Sequence, residues 1–289
     1  AVYSGTTSGS RVSETEARLN ENAAITLGLL QQQIRLASYS AVVGSPTFTL
    51  RKNLDGAGSA GIRGCTGGFS VTTTTAFSDI TCNNTTASDA LVVRYEADTL
   101  NTMPVGVPPA VTPTNCIGES ITASTPSSAT GTGGPVQPLY ALADNRYFVR
   151  TVGTPSGGPE LYCQGARSRN AATGVVNFSA PQPIMEGVER MHLTFGVASS
   201  QTATFTVAYM TANAIDTTFA AEPERWRRVI TARVCLLLRN TSSSDLSARS
   251  ANATTNQYFD CNNVQQTSTD GFLRRAYTST ILLKNRLSQ

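Results

Sequence analysis

Only one histidine, His192, occurs in the chain, so any Ser-His-Asp or Cys-His catalytic arrangement would have to use it. It lies in the segment RMHLTFGV (190–197), where apolar residues occupy the odd positions and polar residues the even ones. This alternation predicts a β-strand with His192 on its solvent face. The sequence contains no GxSxG nucleophile motif. A surface histidine is therefore the expected role of His192.

Other side chains in the sequence could serve acid–base or metal chemistry. Glu186 and Glu189 in PIMEGVERM are the nearest candidates for the carboxylate pair of a glycosidase. The segments SDITCNN (78–84) and FDCNN (259–263) place Asp and Asn in loops, as calcium sites often do, but without EF-hand spacing. Turns and loops favour these residues for backbone reasons as well. We expect no catalytic residue, metal ion or cofactor, and bound calcium stays open as an alternative.

The six cysteines of the chain contain no CxxC pair, which argues against a zinc site or a thioredoxin-like motif. An even number of cysteines in a chain rich in Thr and Ser is typical of disulfides formed in an oxidising compartment. The sequence alone does not fix the pairing, and we predict bonds between neighbours in sequence. The predicted pairs are Cys65 with Cys82, Cys116 with Cys163, and Cys235 with Cys261.

The overall charge of the chain is weak for its length. The formal net charge is +3, and charged residues make up 14% of the sequence, below the average of about 25% for soluble domains. This balance argues against nucleic acid or an anionic membrane surface as a partner. The one dense basic cluster, RWRR (225–228), reads as a solvated strand end.

The segment LNENAAITLGLLQQQIRLASYS (19–40) has the period of a helix, and the pattern extends back to Arg11 and forward to Tyr39. Its apolar residues recur at steps of three and four, which predicts one apolar face on a helix roughly 40 Å long. This face consists of Leu19, Ala23, Leu27, Leu30, Ile34 and Ala37, widened by Ile25, Leu29 and Leu36.

After residue 40 the apolar period changes to two, which predicts strands. The predicted strands are 90–97, 146–152, 160–165, 190–197, 204–210, 225–239 and 276–287. The run 225–239 reads as a long half-buried strand with Cys235 on its polar face, so its disulfide should tie a surface loop over the sheet. Residues 104–136 and 240–270 read as loops. Because no helices alternate with these strands, the fold class is α+β with antiparallel sheets.

The order of these segments resembles the PilW family of type IV pilus minor pilins and, more distantly, the larger minor pseudopilins of type II secretion. The helix ends in RLASY, which is similar to a family RxAxY pattern with Ser38 where glycine is usual. It is followed in the family's order by SDALVVRYEA, NCIG, RYFVRTV, ELYCQG, PIMEGVERMHLTFGV, RWRRVITARVCLLLRN and DGFLRRAYTSTILLKNRL.

The resemblance implies a pilin-like fold, in which a long N-terminal helix packs on antiparallel sheets with disulfide-pinned loops. Residues 1–40 would be the second half of the pilin helix and residues 41–289 the head. A cleaved leader and an apolar anchor helix are expected to precede Ala1 in the full-length protein. The implied assembly interface on the helix consists of Leu19, Ala23, Ile25, Leu27, Leu29, Leu30, Ile34 and Leu36.

The resemblance also implies a structural role without catalysis. Such proteins help form a priming complex at the pilus tip with other minor pilins, the major pilin and a large tip adhesin. They start pilus assembly and support twitching motility, adhesion or DNA uptake. The implied location is the inner membrane facing the periplasm, and then the extracellular pilus tip.

Two other functions stay open from the residues alone. A secreted β-rich binding module for carbohydrate or DNA would need exposed aromatic side chains, but the single tryptophan, Trp226, falls on an apolar strand face. An extracellular hydrolase would need clustered acids or a histidine dyad, and neither is clear in the sequence.

Overall fold

The computed structural model describes residues 2–40, 61–70, 80–85, 87–124, 139–151, 158–169, 175–241 and 256–286. It begins with one long helix, α1 (Val2–Leu36), followed by strands of three antiparallel sheets and one short helix, α2 (Ala212–Thr218). Among the described residues, no helix combines the length and apolarity needed to cross a membrane. One long helix together with antiparallel sheets agrees with the predicted α+β class in this part of the chain.

Helix α1 is longer at its start than the prediction of Arg11 to Tyr39. It begins at Val2 and ends at Leu36. The added residues include Gly5 and Gly9, which have low helix propensity and hide the pattern. At the other end the chain turns at Ser38, whose φ of 64° lies outside helical geometry.

The first sheet has six strands in the order β1-β2-β3-β4-β5, with β6 beside β4. All of its pairs are antiparallel. The strands are β1 (Ile62–Cys65), β2 (Ala90–Ala97), β3 (Ala141–Thr151), β4 (Pro159–Arg169), β5 (Val176–Phe178) and β6 (Gln182–Glu186).

The second sheet has four strands in the order β12-β9-β7-β8, again antiparallel. Its strands are β7 (Val188–Ala198), β8 (Thr206–Met210), β9 (Val229–Arg239) and β12 (Arg274–Leu282). A two-stranded hairpin, β10 (Asn256–Phe259) with β11 (Gln265–Ser268), forms where the sequence predicted only loop. This hairpin carries mostly polar residues, so it lacks the apolar alternation that would predict strands.

The long strand predicted over 225–239 is shorter in the structure. Residues Arg225–Arg228 form a 3-10 turn, and β9 begins at Val229. A second 3-10 turn, Lys284–Arg286, ends the run predicted over 276–287. Trp226 is buried, although it lies in the turn rather than in the strand.

The main core lies where both sheets and α1 meet. Side chains of β2, β3 and β4 from the first sheet share one buried cluster with side chains of β7 and β9 from the second. Helix α1 contacts β2 of the first sheet and both β9 and β12 of the second. The helix therefore covers a seam between the two sheets.

Three disulfides join Cys65 to Cys82, Cys116 to Cys163, and Cys235 to Cys261. These are the pairs of sequence neighbours that the sequence predicted. The bond at Cys235 ties the outer face of β9 to the turn between β10 and β11. The bond at Cys116 ties the loop after β2 to β4.

A charged cluster lies in the interior of the first sheet. Asp144 of β3 faces Arg94 of β2, whose Nη2 lies 2.6 Å from Oδ2, and Arg146 Nε lies 3.2 Å from Oδ1. All three side chains are buried. Burial by itself would raise the pKa of Asp144, but the charges of Arg94 and Arg146 outweigh it and hold the pKa below its ordinary value.

Replacing Asp144 by Asn should destabilise the fold by about 3–5 kcal/mol, because it leaves two guanidinium groups buried without their carboxylate. Urea unfolding at pH 7 measures this loss. The lowered pKa means that the carboxylate stabilises the fold above the unfolded pKa of about 4, and that this contribution is lost as the pH falls further. The difference between wild type and Asp144→Asn should therefore narrow in acid.

Glu14→Gln is the matched control, because Glu14, among the residues that the structure describes, pairs only with Arg18 on the exposed surface of α1. This substitution should cost under about 0.5 kcal/mol. An equal effect of the two substitutions would contradict the role assigned to the buried cluster.

Removing disulfides by paired Cys→Ala substitution should destabilise in the order of the loops that they close. The bond at Cys116 spans 47 residues and that at Cys65 spans 17. Loop entropy predicts losses of about 4 and about 3 kcal/mol, respectively. Thermal unfolding of the two double variants measures this order, and a larger loss for the Cys65–Cys82 pair would refute it.

Candidate functional site

One stripe of buried side chains on α1 packs against the two main sheets. Its buried side chains recur at steps of three and four residues, which keeps them on one side of the helix. They are Val12, Thr15, Leu19, Ala23, Thr26, Leu30, Ile34 and, just past the helix, Ala37. The stripe is narrow, so the opposite side of α1 stays in contact with solvent.

The eight residues predicted as an assembly interface do not lie on one surface. The structure places Leu19, Ala23, Leu30 and Ile34 in the core, Leu27, Leu29 and Leu36 against its edge, and Ile25 on the surface with 54% of its area exposed. Four of them are therefore occupied by the head in this structure. A role of these residues in assembly stays a prediction.

Hydrogen bonds to β12 fix the helix along its length. Tyr277 donates its hydroxyl to Asn20 Oδ1 at 2.7 Å, and Gln31 donates Nε2 to Ser279 Oγ at 2.6 Å. Tyr277 and Ser279 are two residues apart on β12 and so face the same side. These bonds join the start of the chain to its last strand.

A polar network also connects the last turn of α1 to the first sheet. Gln33 Oε1 accepts from Asn145 Nδ2 at 2.8 Å and from the Tyr95 hydroxyl at 3.3 Å. Asn145 Oδ1 in turn accepts from the backbone N–H of Cys116 at 3.1 Å. Burial raises the pKa of Tyr95 to about 12, so its hydroxyl is a neutral donor at physiological pH.

The end of α1 depends on a residue in the left-handed region. Ser38 adopts φ of 64° and Gly61 adopts φ of 63° beside it. A Cβ on Gly61 would lie 2.2 Å from the Ser38 nitrogen, so glycine is required there. Asn285 donates Nδ2 to the carbonyls of Arg35 and Ala37 at 2.9 and 3.3 Å, which caps the helix end.

The segments NCIG (115–118) and ELYCQG (160–165) pack against each other. Asn115 Oδ1 accepts from two backbone N–H groups of its own turn, both at 3.1 Å. Its side chain packs on Gly165, where a Cβ would lie 2.5 Å from Asn115 Cγ. The adjacent Cys116 bonds to Cys163 on the same strand as Gly165. The loop after β2 is therefore held to β4 by packing and by a covalent bond.

His192 is less exposed than the strand pattern predicted, since only 27% of its side chain is accessible. Its Nδ1 lies 3.1 Å from Oδ2 of Asp89, which precedes β2. The same carboxylate accepts backbone N–H groups from Gly67 at 3.1 Å and Leu193 at 2.8 Å. The alternation of the strand is confirmed, since His192 is partly exposed between buried Met191 and Leu193, and Asp89 pairs with it at the surface.

The hydroxyl of Ser88, the residue before Asp89, bonds to the backbone of β7. Ser88 Oγ accepts from the backbone N–H of Met191 at 3.0 Å and contacts the carbonyl of the same residue. Ser88 and Asp89 therefore use their side chains to join the strand β7 to the first sheet. This arrangement serves the joint between the sheets rather than nucleophile activation.

The two candidate glycosidase carboxylates lie in different surroundings. Glu186 is exposed on β6, whereas Glu189 accepts from Arg274 at 2.5 and 3.0 Å. Arg274 also donates to Asp270 and lies over the Tyr258 ring. Hydrogen bonding from Arg274 lowers the pKa of Asp270 well below its ordinary value. Glu189 therefore belongs to an ion-pair cluster that holds the hairpin β10–β11 on the second sheet.

The aspartate of the second candidate calcium loop serves the backbone of its own turn. Asp260 Oδ1 accepts from the N–H groups of Asn262 at 2.9 Å and Val264 at 3.0 Å, and Oδ2 accepts from Gln266 at 2.9 Å. The N–H of Val264 contributes most to lowering the pKa of Asp260. Of the first loop, Asp79 lies outside the described residues. Within the described ranges, no group of three acidic, His or Cys side chains could hold a metal.

The RWRR cluster is a network of ion pairs rather than a free basic patch. Arg225 Nε lies 2.6 Å from Asp216 Oδ1, and Arg228 Nη2 lies 2.5 Å from Glu222 Oε1. Trp226 donates Nε1 to Asp216 at 3.0 Å, and its ring is buried. The only tryptophan therefore fills the core and cannot stack on a ligand.

Two exposed surfaces were not predicted from the sequence. The first, here called the outward stripe, consists of Glu21, Ile25, Gly28, Gln32 and Arg35, which are all exposed on α1. The second, here called the apolar loop, consists of Leu100, Met103, Val105 and Val107, with 95%, 86%, 40% and 80% of their areas exposed. The signal for the second surface was in the sequence, since residues 99–111 contain apolar residues and no charge.

Comparison with known proteins gives one family. The model of PilW, type IV pilus-assembly protein W, matches residues 146–285, a range that runs from β3 through β12. No curated protein and no solved structure shows a significant match to the chain. The order of segments, from RYFVRTV to the last strand, agrees with this result. Residues 146–285 of the chain are thus similar to the PilW family of type IV pilus-assembly proteins.

Proposed function

We propose that this protein is a structural minor pilin that belongs to a tip or priming complex of a type IV pilus. The observation that carries the proposal is the family match together with α1, a helix of 35 residues that buries one stripe on the head and leaves the opposite side open. In this role the protein starts pilus assembly and supports motility, adhesion or DNA uptake. The chemistry of the head is that of a scaffold.

The proposed partners are other minor pilins, the major pilin and a large tip adhesin. The apolar loop supports a contact with protein, because three of its side chains are more than three-quarters exposed. Exposed apolar side chains grouped on one loop are typical of interaction surfaces. The loop starts beside the end of α1, where Leu100 and Leu36 line the same groove.

The proposed location is the inner membrane facing the periplasm, followed by the pilus tip. The three disulfides support a location outside the cytoplasm, because such bonds persist in oxidising compartments. An apolar anchor helix preceding residue 1 is part of this proposal.

Deleting the gene in its host should reduce the number of surface pili, and the wild-type gene should restore them. Electron microscopy of whole cells and the sheared pilus fraction measure this number. Gold-labelled antibody to the head should mark pilus ends. Unchanged piliation in the deletion strain would refute a role in assembly, and label along the whole shaft would refute the tip position.

Replacing Met103 and Val107 together by Ser should reduce piliation in the complemented strain severalfold while leaving the thermal unfolding midpoint unchanged. Both side chains are mostly exposed, so their loss removes little core packing. Phe205→Ser is the matched control, since Phe205 is 63% exposed, directly precedes β8 and lies outside the apolar loop. Equal piliation by the loop variant and the wild type would contradict the proposed contact.

A further inference from the structure

A polar pocket lies at the β1 edge of the first sheet, beside α2. It has a volume of about 290 Å³, and its described lining comes from β1, from residues 80–84 and from α2. The disulfide between Cys65, which ends β1, and Cys82 of the lining joins the first two of these pieces. The described lining includes no residue of α1, so the pocket leaves the helix available for assembly.

Two oppositely charged side chains meet in this pocket at a distance beyond hydrogen bonding. Nη2 of Arg63, a largely buried residue, lies 3.7 Å from Oδ2 of Asp216. The other oxygen of this carboxylate, Oδ1, accepts from Arg225 Nε at 2.6 Å and from Trp226 Nε1 at 3.0 Å, which fixes its orientation. Among the described residues, Oδ2 accepts no hydrogen bond, so it is the oxygen that a ligand can reach.

A single hydroxyl group of a ligand matches both charged groups. One oxygen placed between them lies within hydrogen-bond distance of each, and a hydroxyl donates to Asp216 Oδ2 while it accepts from the Arg63 guanidinium. An ionised carboxylate or phosphate has no proton to donate and is repelled by Asp216. An ammonium group has no lone pair to accept with and is repelled by Arg63. The pair therefore favours an uncharged ligand that carries hydroxyls.

Two amide side chains surround the same space with further donors and acceptors. Asn84 and Asn213 both line the pocket and are exposed. Within the described ranges, neither side-chain amide takes part in a hydrogen bond, so each offers a carbonyl acceptor and two N–H donors to a ligand. Ile80 contributes apolar lining beside these groups. Such a combination suits a ring with C–H groups on its faces and hydroxyls around its edge.

We propose that this pocket binds one neutral hexose residue of a glycan. Its volume equals that of roughly ten water molecules in the liquid, which suits a single sugar ring. In the complex, one sugar hydroxyl bridges Asp216 and Arg63, and adjacent hydroxyls bond to the two amides. A face of the ring lies against Ile80. This binding activity goes beyond the proposed role in pilus assembly and does not depend on it.

A printed array of neutral and acidic glycans, probed with the purified labelled chain, tests the proposal. The chain should bind glycans that present an uncharged hexose, and the free methyl glycoside of that hexose should compete. Titration of the methyl glycoside by saturation-transfer NMR measures its dissociation constant. This constant should be on the order of 1 mM, because one sugar in an open pocket makes few contacts.

Asn213→Ala should raise the dissociation constant of the methyl glycoside about five- to tenfold, because the hydrogen bonds between the amide and the sugar are lost. Asp216→Asn should raise it about tenfold or more. The asparagine oxygen has to accept from Arg225 and Trp226, so an N–H group takes the place of Oδ2 and the sugar hydroxyl loses its acceptor.

Asn83→Ala is the matched control, because it makes the same substitution at an exposed asparagine next to Asn84 that is not among the described lining. Its dissociation constant should stay within about twofold of the wild type. Thermal unfolding of each variant checks that the fold is intact. If Asp216→Asn fails to fold, Asn213→Ala decides the outcome, since its side chain is exposed.

Three results would each overturn the proposal. The first is that the chain binds no glycan on the array. The second is that binding requires a carboxylate, sulfate or phosphate on the glycan, which would show that the ligand is an anion. The third is that Asn213→Ala and a folded Asp216→Asn leave the affinity unchanged, which would place the glycan on another surface.

Discussion

The buried stripe of α1 is the constraint on which the rest of the structure depends. The two main sheets meet along a seam, and the helix covers that seam by contacting β2 on one side and β9 and β12 on the other. Burying the side chains of Leu30 and Ile34 stabilises the fold by about 1.5–3 kcal/mol each. A single hydrogen bond contributes only about 0.5–1.5 kcal/mol, so apolar burial holds the helix on the sheets more strongly than any one of its hydrogen bonds. The polar contacts of Gln31 and Gln33 then fix its register.

Much of this arrangement follows from the apolar period of the sequence, because period 3.6 and period two distinguish a helix seat from a sheet face. The ends of the helix and some strands are predicted less well from this period. Local propensity gave no reason to extend α1 over Gly5 and Gly9, and the hairpin β10–β11 is held by Arg274 and a disulfide rather than by apolar alternation. The buried cluster around Asp144 was hidden as well, since charged residues in a strand normally indicate solvent.

The candidate site shows a similar division. An apolar helix face predicts burial, but the sequence pattern does not distinguish burial against the protein's own sheets from burial against another chain. Here the head takes Leu19, Ala23, Leu30 and Ile34, and the surface left for partners is polar and small on the helix, with apolar side chains supplied by the loop after β2. No local pattern relates Leu100 to Gly28, because their proximity depends on how β2 is placed against the helix.

The joining of Asn20 to Tyr277 has a consequence for how the protein is made. These residues are 257 positions apart, and the bond between Gln31 and Ser279 spans 248. Helix α1 thus gains its full set of contacts only when β12, which lies far later in the chain, has been made and has paired with β9. Such long loop closures slow folding, because their entropy cost comes before the contacts that offset it. The helix and β12 therefore form a closure between distant parts of the chain, and this closure completes the burial of the stripe.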